Sequence, residues 1–176
     1  LSFMDHAPGV GQYKRPGSFE KYVMKNQGVG PEEVKQIVAE LQERRSRIDW
    51  GGLTALAAEA RSRGIAVASH DDDSPEQVDR SKALGAGVAE FPLNLETAAY
   101  AARQGLHVCV GAPNIVRGGS HDRNLTALDA IRAGAAGILC SDYHPASLLQ
   151  AVFVLKREGI PLEQAAAMAS LNPARA

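Results

Sequence analysis

Three stretches of this chain share one plan, a short apolar run that ends in histidine or aspartate. They are Leu1-Ser2-Phe3-Met4-Asp5-His6, Ile65-Ala66-Val67-Ala68-Ser69-His70-Asp71 and Gly137-Ile138-Leu139-Cys140-Ser141-Asp142. Brief apolar runs of this kind read as buried strands. Parallel strands that carry ionisable residues at their C-terminal ends build a shared site on one face of an α/β sheet or barrel. The repeated plan therefore points to an α/β fold with a single convergence of polar groups.

From Ile65 onward the rhythm is regular. A strand over 65–70 leads to a helix over 75–84, opened by Ser74 as cap, Pro75 at the first position and Glu76 in the first turn. Strands follow over 87–91, 107–112 and 137–142. Helices are expected over 95–104, 125–133, 146–157 and 161–170. With the opening strand over 1–6, this makes five βα units. Residues 7–30 read as a long polar, Gly-rich connection, and such connections are commonly lids or disordered. Helices over about 31–41 and 50–63 follow it. Glu43-Arg44-Arg45-Ser46-Arg47 reads as a solvated helix end, with a phosphate patch as the sharper alternative.

Alternating apolar strands and amphipathic helices argue for a parallel sheet. An eight-unit barrel takes about 250 residues, so five units in 176 residues fit the C-terminal five βα units of a (β/α)8 barrel, incomplete in this chain. An open doubly wound sheet is the alternative. On the barrel reading, residues 1–176 form one partial barrel domain, and the abrupt ends suggest a segment of something longer. The formal net charge of −1 gives no support for a nucleic-acid or membrane-surface partner. No apolar run approaches the ~20 residues of a membrane span, and no leader sequence is visible. The two cysteines, Cys109 and Cys140, fall in strand-like runs and read as buried reduced thiols, which points to the cytoplasm.

His6, His70 and Asp142 are the centre of the chemical case. Imidazole and carboxylate are the usual ligands of Zn²⁺ and related ions, and each of the three stands at a strand end. Glu90 sits in an otherwise apolar strand, where a carboxylate is either paired or functional. Asp71 is placed to orient His70. The segment Gly111-Ala112-Pro113-Asn114-Ile115-Val116-Arg117-Gly118-Gly119-Ser120-His121 follows a strand and precedes a helix. It reads as an anion-binding loop, with Arg117 as a bidentate phosphate holder and the Gly118 and Gly119 amides as a nest. Asn114 and His121 lie in the same stretch. A plain flexible loop is the bland alternative. Tyr143 and His144 are placed to line a pocket beside Asp142. No Walker pattern and no nucleophile elbow is present.

Several motifs as a set bear a resemblance. They are Met4-Asp5-His6-Ala7-Pro8-Gly9-Val10-Gly11-Gln12-Tyr13, Ser69-His70-Asp71-Asp72, Glu90-Phe91-Pro92, Gly111-Ala112-Pro113-Asn114 with Arg117-Gly118-Gly119-Ser120-His121, and Ser141-Asp142-Tyr143-His144-Pro145. Together they resemble the diphosphatases of the phosphonate (carbon–phosphorus lyase) pathway, in the amidohydrolase superfamily. The resemblance runs over the whole chain. It implies a divalent metal, zinc first, with manganese or iron as alternatives. It also implies hydrolysis of a ribose 1-methylphosphonate 5-triphosphate to the 5-phosphate and pyrophosphate.

By the same resemblance Asp142 is the last-strand metal ligand and proton acceptor. His70 and Glu90 fall where the fifth and sixth strands carry ligands, and His6 falls on the fourth. Asn114, Arg117, Gly118, Gly119 and His121 are the expected substrate contacts. The His-x-His type motif of the superfamily's first strand has no counterpart here. With the first three strands and the small β-domain lacking, an open barrel and an incomplete site are expected. A cyclic-amide hydrolase or nucleobase deaminase on the same scaffold, or a non-catalytic binding fragment, remain the competing readings. A homo-oligomer stays open.

Overall fold

A computed structural model describes residues 1–119 and 125–176 of the chain. Five short strands form one parallel sheet in the order β1 (Ser2–Phe3), β2 (Ala68–His70), β3 (Val88–Glu90), β4 (His107–Gly111) and β5 (Ile138–Cys140). Among the described residues each strand pairs only with its neighbours in sequence, and every pairing is parallel. A doubly wound sheet reverses its strand order at a switch point. This sheet has no reversal, so it winds in one direction, as an arc of a barrel does. The open-sheet alternative is thereby excluded, and the expected five-unit arc is observed.

The helices follow the strands as expected from residue 75 onward. They are α4 (Pro75–Ala83), α5 (Leu95–Arg103), α7 (Ala127–Arg132), α8 (Ser147–Arg157) and α9 (Leu162–Ala169), with a last short α10 (Leu171–Arg175). Ser74, Asn94 and Thr126 cap α4, α5 and α7 by accepting from the amides of Gln77, Thr97 and Asp129. These side-chain caps satisfy donors that a helix start leaves without partners. Pro75 supplies a preset φ at the first turn of α4.

Alternation along the strands divides the sheet into two faces. In register, Phe3, Ser69, Ala89 and Val108 lie across one face, with Val110 and Leu139 further along it. Ala89, Val108, Val110 and Leu139 belong to the main core, together with Val78, Ala98, Ala101, Ile131, Val152, Leu155 and Met168 from the helices. The core is rich in alanine, which lets helices lie close against the strands. The opposite face carries Ser2, His70, Glu90, Cys109 and Cys140. Neither cysteine is in a disulfide; Cys109 is buried and Cys140 half-buried.

Two expectations are corrected. Residues 7–30 are not a plain connection. They contain a single 3-10 turn at Gly11–Tyr13 and α1 (Ser18–Gln27), which packs on α2 (Pro31–Ser46) through Phe19, Val23 and Val34. Next, α3 (Trp50–Ser62) covers the region before β2. The stretch after β4 begins as a helix rather than a loop, α6 (Ala112–Arg117), with Gly118 closing it in the left-handed region. Among the described residues, no helix is long and apolar enough to cross a membrane.

Candidate active site

The strand ends gather the polar residues. β1 stops at Phe3, and the chain continues through Asp5 to His6, which reaches the end of β2. There Asp71 lies between two imidazoles. Its Oδ2 is 3.2 Å from His6 Nε2, and its Oδ1 is 3.3 Å from His70 Nδ1. The His6 and His70 rings meet edge to face, with centroids 5.3 Å apart. Asp71 and His70 are largely buried, whereas the His6 side chain is 37% exposed.

This trio fits a divalent cation. One donor atom from each of His6, His70 and Asp71 lies within 4.8 Å of the others. Despite the short distances, His70 Nδ1 and Asp71 Oδ2 find no partner at hydrogen-bonding angles among the described residues. Buried polar atoms without a well-aligned partner are costly. A cation among them would satisfy both, and imidazole with carboxylate is a suitable donor set. The same contacts suit Asp71 as the group that orients His70.

Glu90 and Asp142 stand further out. Glu90 follows His70 across the β2–β3 pair, and its Oε2 is 3.4 Å from Ser2 Oγ. Burial lowers the His70 pKa, but contact with Asp71 and the charges of Asp71, Glu90 and Asp142 outweigh it and leave it raised. Both carboxylates therefore act on His70 electrostatically, and neither joins the close trio of donors.

The backbone marks the same region. Among non-glycine residues described, Asp71, Phe91 and Asp142 have positive φ, at 57°, 56° and 50°. Each follows a strand end closely, and all three line one cavity of about 160 Å³. Left-handed backbone outside glycine costs on the order of 1–3 kcal/mol per residue, and it concentrates at functional sites. Gln12, Asn114 and Arg117 add polar groups to the cavity lining, and Pro92, Leu93, Val110 and Leu125 add apolar ones. The Phe91 ring stands edge-on to His70, 5.3 Å between centroids.

The expected anion loop is built differently from the expectation. The Gly118 and Gly119 amides donate to Ile115 O and Asn114 O, so they close α6 rather than form an open nest. Asn114 ties α6 to the start of α7, accepting from the Ala127 amide at 3.0 Å and donating to Leu125 O at 3.4 Å. Arg117 does reach the cavity, and its Nη1 donates to Tyr143 Oη at 2.9 Å. His121 lies outside the described residues. His144 does not line the cavity, and its carbonyl accepts from the buried Ser147 hydroxyl.

Behind Glu90 lie the two thiols. The Cys140 pKa is lowered to about 6, first by a hydrogen bond from Cys109, against burial, with the Asp142 amide also donating to its sulfur at 3.3 Å. Cys109 is pushed far upward by that same bond and by burial.

Two site residues escaped sequence reasoning. Phe91 gives no signal, because its unusual φ is set by the fold. Gln12 had one, the Gly-x-Gly spacing just before it, which allows a tight turn next to His6.

Comparison with known proteins supplies the context for this geometry. Over 179 aligned residues the chain is 37% identical to the alpha-D-ribose 1-methylphosphonate 5-triphosphate diphosphatase of Escherichia coli (strain K12). The resemblance read from the motifs holds along the whole chain. The alignment takes in 100% of this chain and 47% of that enzyme, so the chain spans about half the length of its curated relative. A crystal structure of an amidohydrolase is 20% identical, with a TM-score of 0.48 over 70% of this chain and 35% of that one. No protein-family profile matches the chain.

Proposed function

We propose that this chain carries the catalytic strand ends of a metal-dependent phosphoanhydride hydrolase of the amidohydrolase kind. Its substrate on this reading is the 5-triphosphate of a ribose 1-methylphosphonate, cleaved to the 5-phosphate and pyrophosphate. The observation that carries the reading is spatial. The His6–Asp71–His70 trio and the cavity lined by Asp142 and Arg117 open at the same end of the sheet, with Asp71 belonging to both. The 37% identity to a diphosphatase points the same way.

His6 and His70 would hold the cation, with Asp71 completing or orienting the set and Glu90 and Asp142 supplying further negative charge. A bound divalent ion supplies Lewis acidity, lowering the pKa of a water and polarising a phosphoryl oxygen. Asp142, exposed at the cavity wall, accepts the proton of the attacking water. Arg117 pairs with the polyphosphate and favours charge as it develops on the departing pyrophosphate. Tyr143 positions that guanidinium by accepting a hydrogen bond from its Nη1. Zinc suits the imidazole-rich set best, and manganese or iron are also compatible with it.

The test is Asp142→Asn. Asparagine tolerates the left-handed backbone that Asp142 adopts, so thermal melting should be unchanged while pyrophosphate release is abolished. Unchanged turnover would remove Asp142 from the mechanism. Challenging the protein with nucleoside triphosphates, sugar triphosphates and nucleobases in parallel separates this activity from that of a deaminase.

A further inference from the structure

Gln12 sits where the cation trio meets the cavity. Its Nε2 is 3.3 Å from His6 Nε2, the same imidazole nitrogen that faces Asp71 Oδ2 at 3.2 Å, and its side chain forms part of the cavity wall. The turn that carries it is held firmly. Tyr13 N donates to Val10 O, Lys14 N to Gly11 O and Gly9 N to Tyr13 O. Lys14 Nζ pairs with Asp73 at 3.0 Å. Gly11 is buried, at φ +52°, and a Cβ there would meet Asp71 Cβ at 3.2 Å. Only glycine suits that combination of φ and space. The backbone of the turn thus rests directly on Asp71 and delivers Gln12 to His6.

We propose that Gln12 is a displaceable cap on His6 that competes with the divalent cation for His6 Nε2. The inference rests on the cation reading of the trio. An imidazole nitrogen has one in-plane site, a lone pair or an N–H. The Gln12 amide and a metal ion cannot both occupy it. Binding at His6 Nε2 therefore requires Gln12 to swing away, and the freed carboxamide remains in the cavity wall, where it can meet a ligand. Gln12 is a positioning residue in this scheme. Its effect on affinity has the sign opposite to that of a ligand, because removing it removes a competitor.

The experiment measures Zn²⁺ and Mn²⁺ affinity by competition with a chromophoric chelator, for the protein as it stands and for Gln12→Leu, His6→Ala and the double variant. Thermal melting of each checks that it is folded, and Gln12→Ala repeats the test with a shorter side chain. Gln12→Leu and Gln12→Ala should each bind metal about 2- to 10-fold more tightly, the range a single net hydrogen bond represents. His6→Ala should bind more weakly, and adding Gln12→Leu to it should change nothing further. Unchanged or weaker binding by both Gln12 variants, with His6→Ala weakened, overturns the cap and leaves the cation reading standing. Tightening that persists without His6 also overturns the cap. Full affinity in His6→Ala, or no metal binding by any form, overturns the cation reading of His6 itself.

Discussion

The two faces of the sheet are built from alternate residues of the same strands, and they do different work. The helix-facing side presents Ala89, Val108, Val110 and Leu139 to an alanine-rich core. The other side presents Ser2, His70, Glu90, Cys109 and Cys140, several of them partly open to solvent. A strand has a period of two, so a slip of one residue would exchange the two faces. Fold and site are thus fixed by one register. The helix-facing side selects that register through apolar burial, and the polar side inherits its positions from it. Substitutions on the first should cost stability, and substitutions on the second should cost chemistry.

The largest effect tests the first half of that contrast. Leu139 is 4% exposed and in contact with the main core. Leu139→Ala removes buried methyl groups and leaves a cavity, at about 2–5 kcal/mol in comparable cores. Urea unfolding should show a loss in that range. A loss below about 1 kcal/mol would mean that the helix layer closes over the gap, and the register would then need another anchor.

The same contrast explains what the sequence discloses. The helix-facing residues announce themselves as apolar runs bounded by caps, so the strands from residue 65 onward and the helices α4, α5, α7, α8 and α9 are readable to within a few residues. His70, Glu90 and Asp142 stand out because each is polar at the end of such a run. What stays hidden depends on contacts distant in sequence. α1 has a narrow apolar stripe of Phe19, Val23 and Met24, and it is held by meeting Val34, Ile37, Val38 and Leu41 of α2. α6 begins at a strand end with Pro113 in its first turn and closes at Gly118, so its composition reads as a loop. The left-handed backbone at Asp71, Phe91 and Asp142 has no local signature, since none of them is glycine. Gln12 is tied to His6 by a turn that fits only because Gly11 leaves room beside Asp71.

The polar face gives the next effect. Glu90 is half-buried at the end of β3, with Ser2 Oγ as its hydrogen-bond partner at 3.4 Å. Glu90→Gln keeps the shape and the acceptor while removing the charge. Unfolding free energy should move by no more than about 1 kcal/mol. Divalent-metal affinity, measured by chelator competition, should fall, because a negative charge that favours the cation is gone. A stability loss as large as that of Leu139→Ala would place Glu90 with the structural residues and blur the division between the faces.

The smallest effect concerns the exception on the helix-facing side. Ser69 is polar, 3% exposed, and in register with Ala89 among the core positions. Its hydroxyl donates to Asp72 at 2.5 Å, and Ser81 of α4 donates to the same carboxylate at 3.2 Å. Burial raises the Asp72 pKa, and the two hydroxyls only partly oppose that shift. The protonated carboxyl is therefore favoured more in the folded chain than in the unfolded one. Its contribution is fully present below the ordinary carboxylate pKa and is lost as pH rises through the raised folded value. Asp72→Asn has no such titration but offers a single oxygen to two hydroxyl donors. Comparing urea unfolding of the two proteins across the acidic range should show the wild type losing ground to Asp72→Asn as pH rises. A gap that stays constant would mean that Ser69 and Ser81 fully offset the burial of the charge, and the helix-facing side would then tolerate an ionised group as readily as the polar face does.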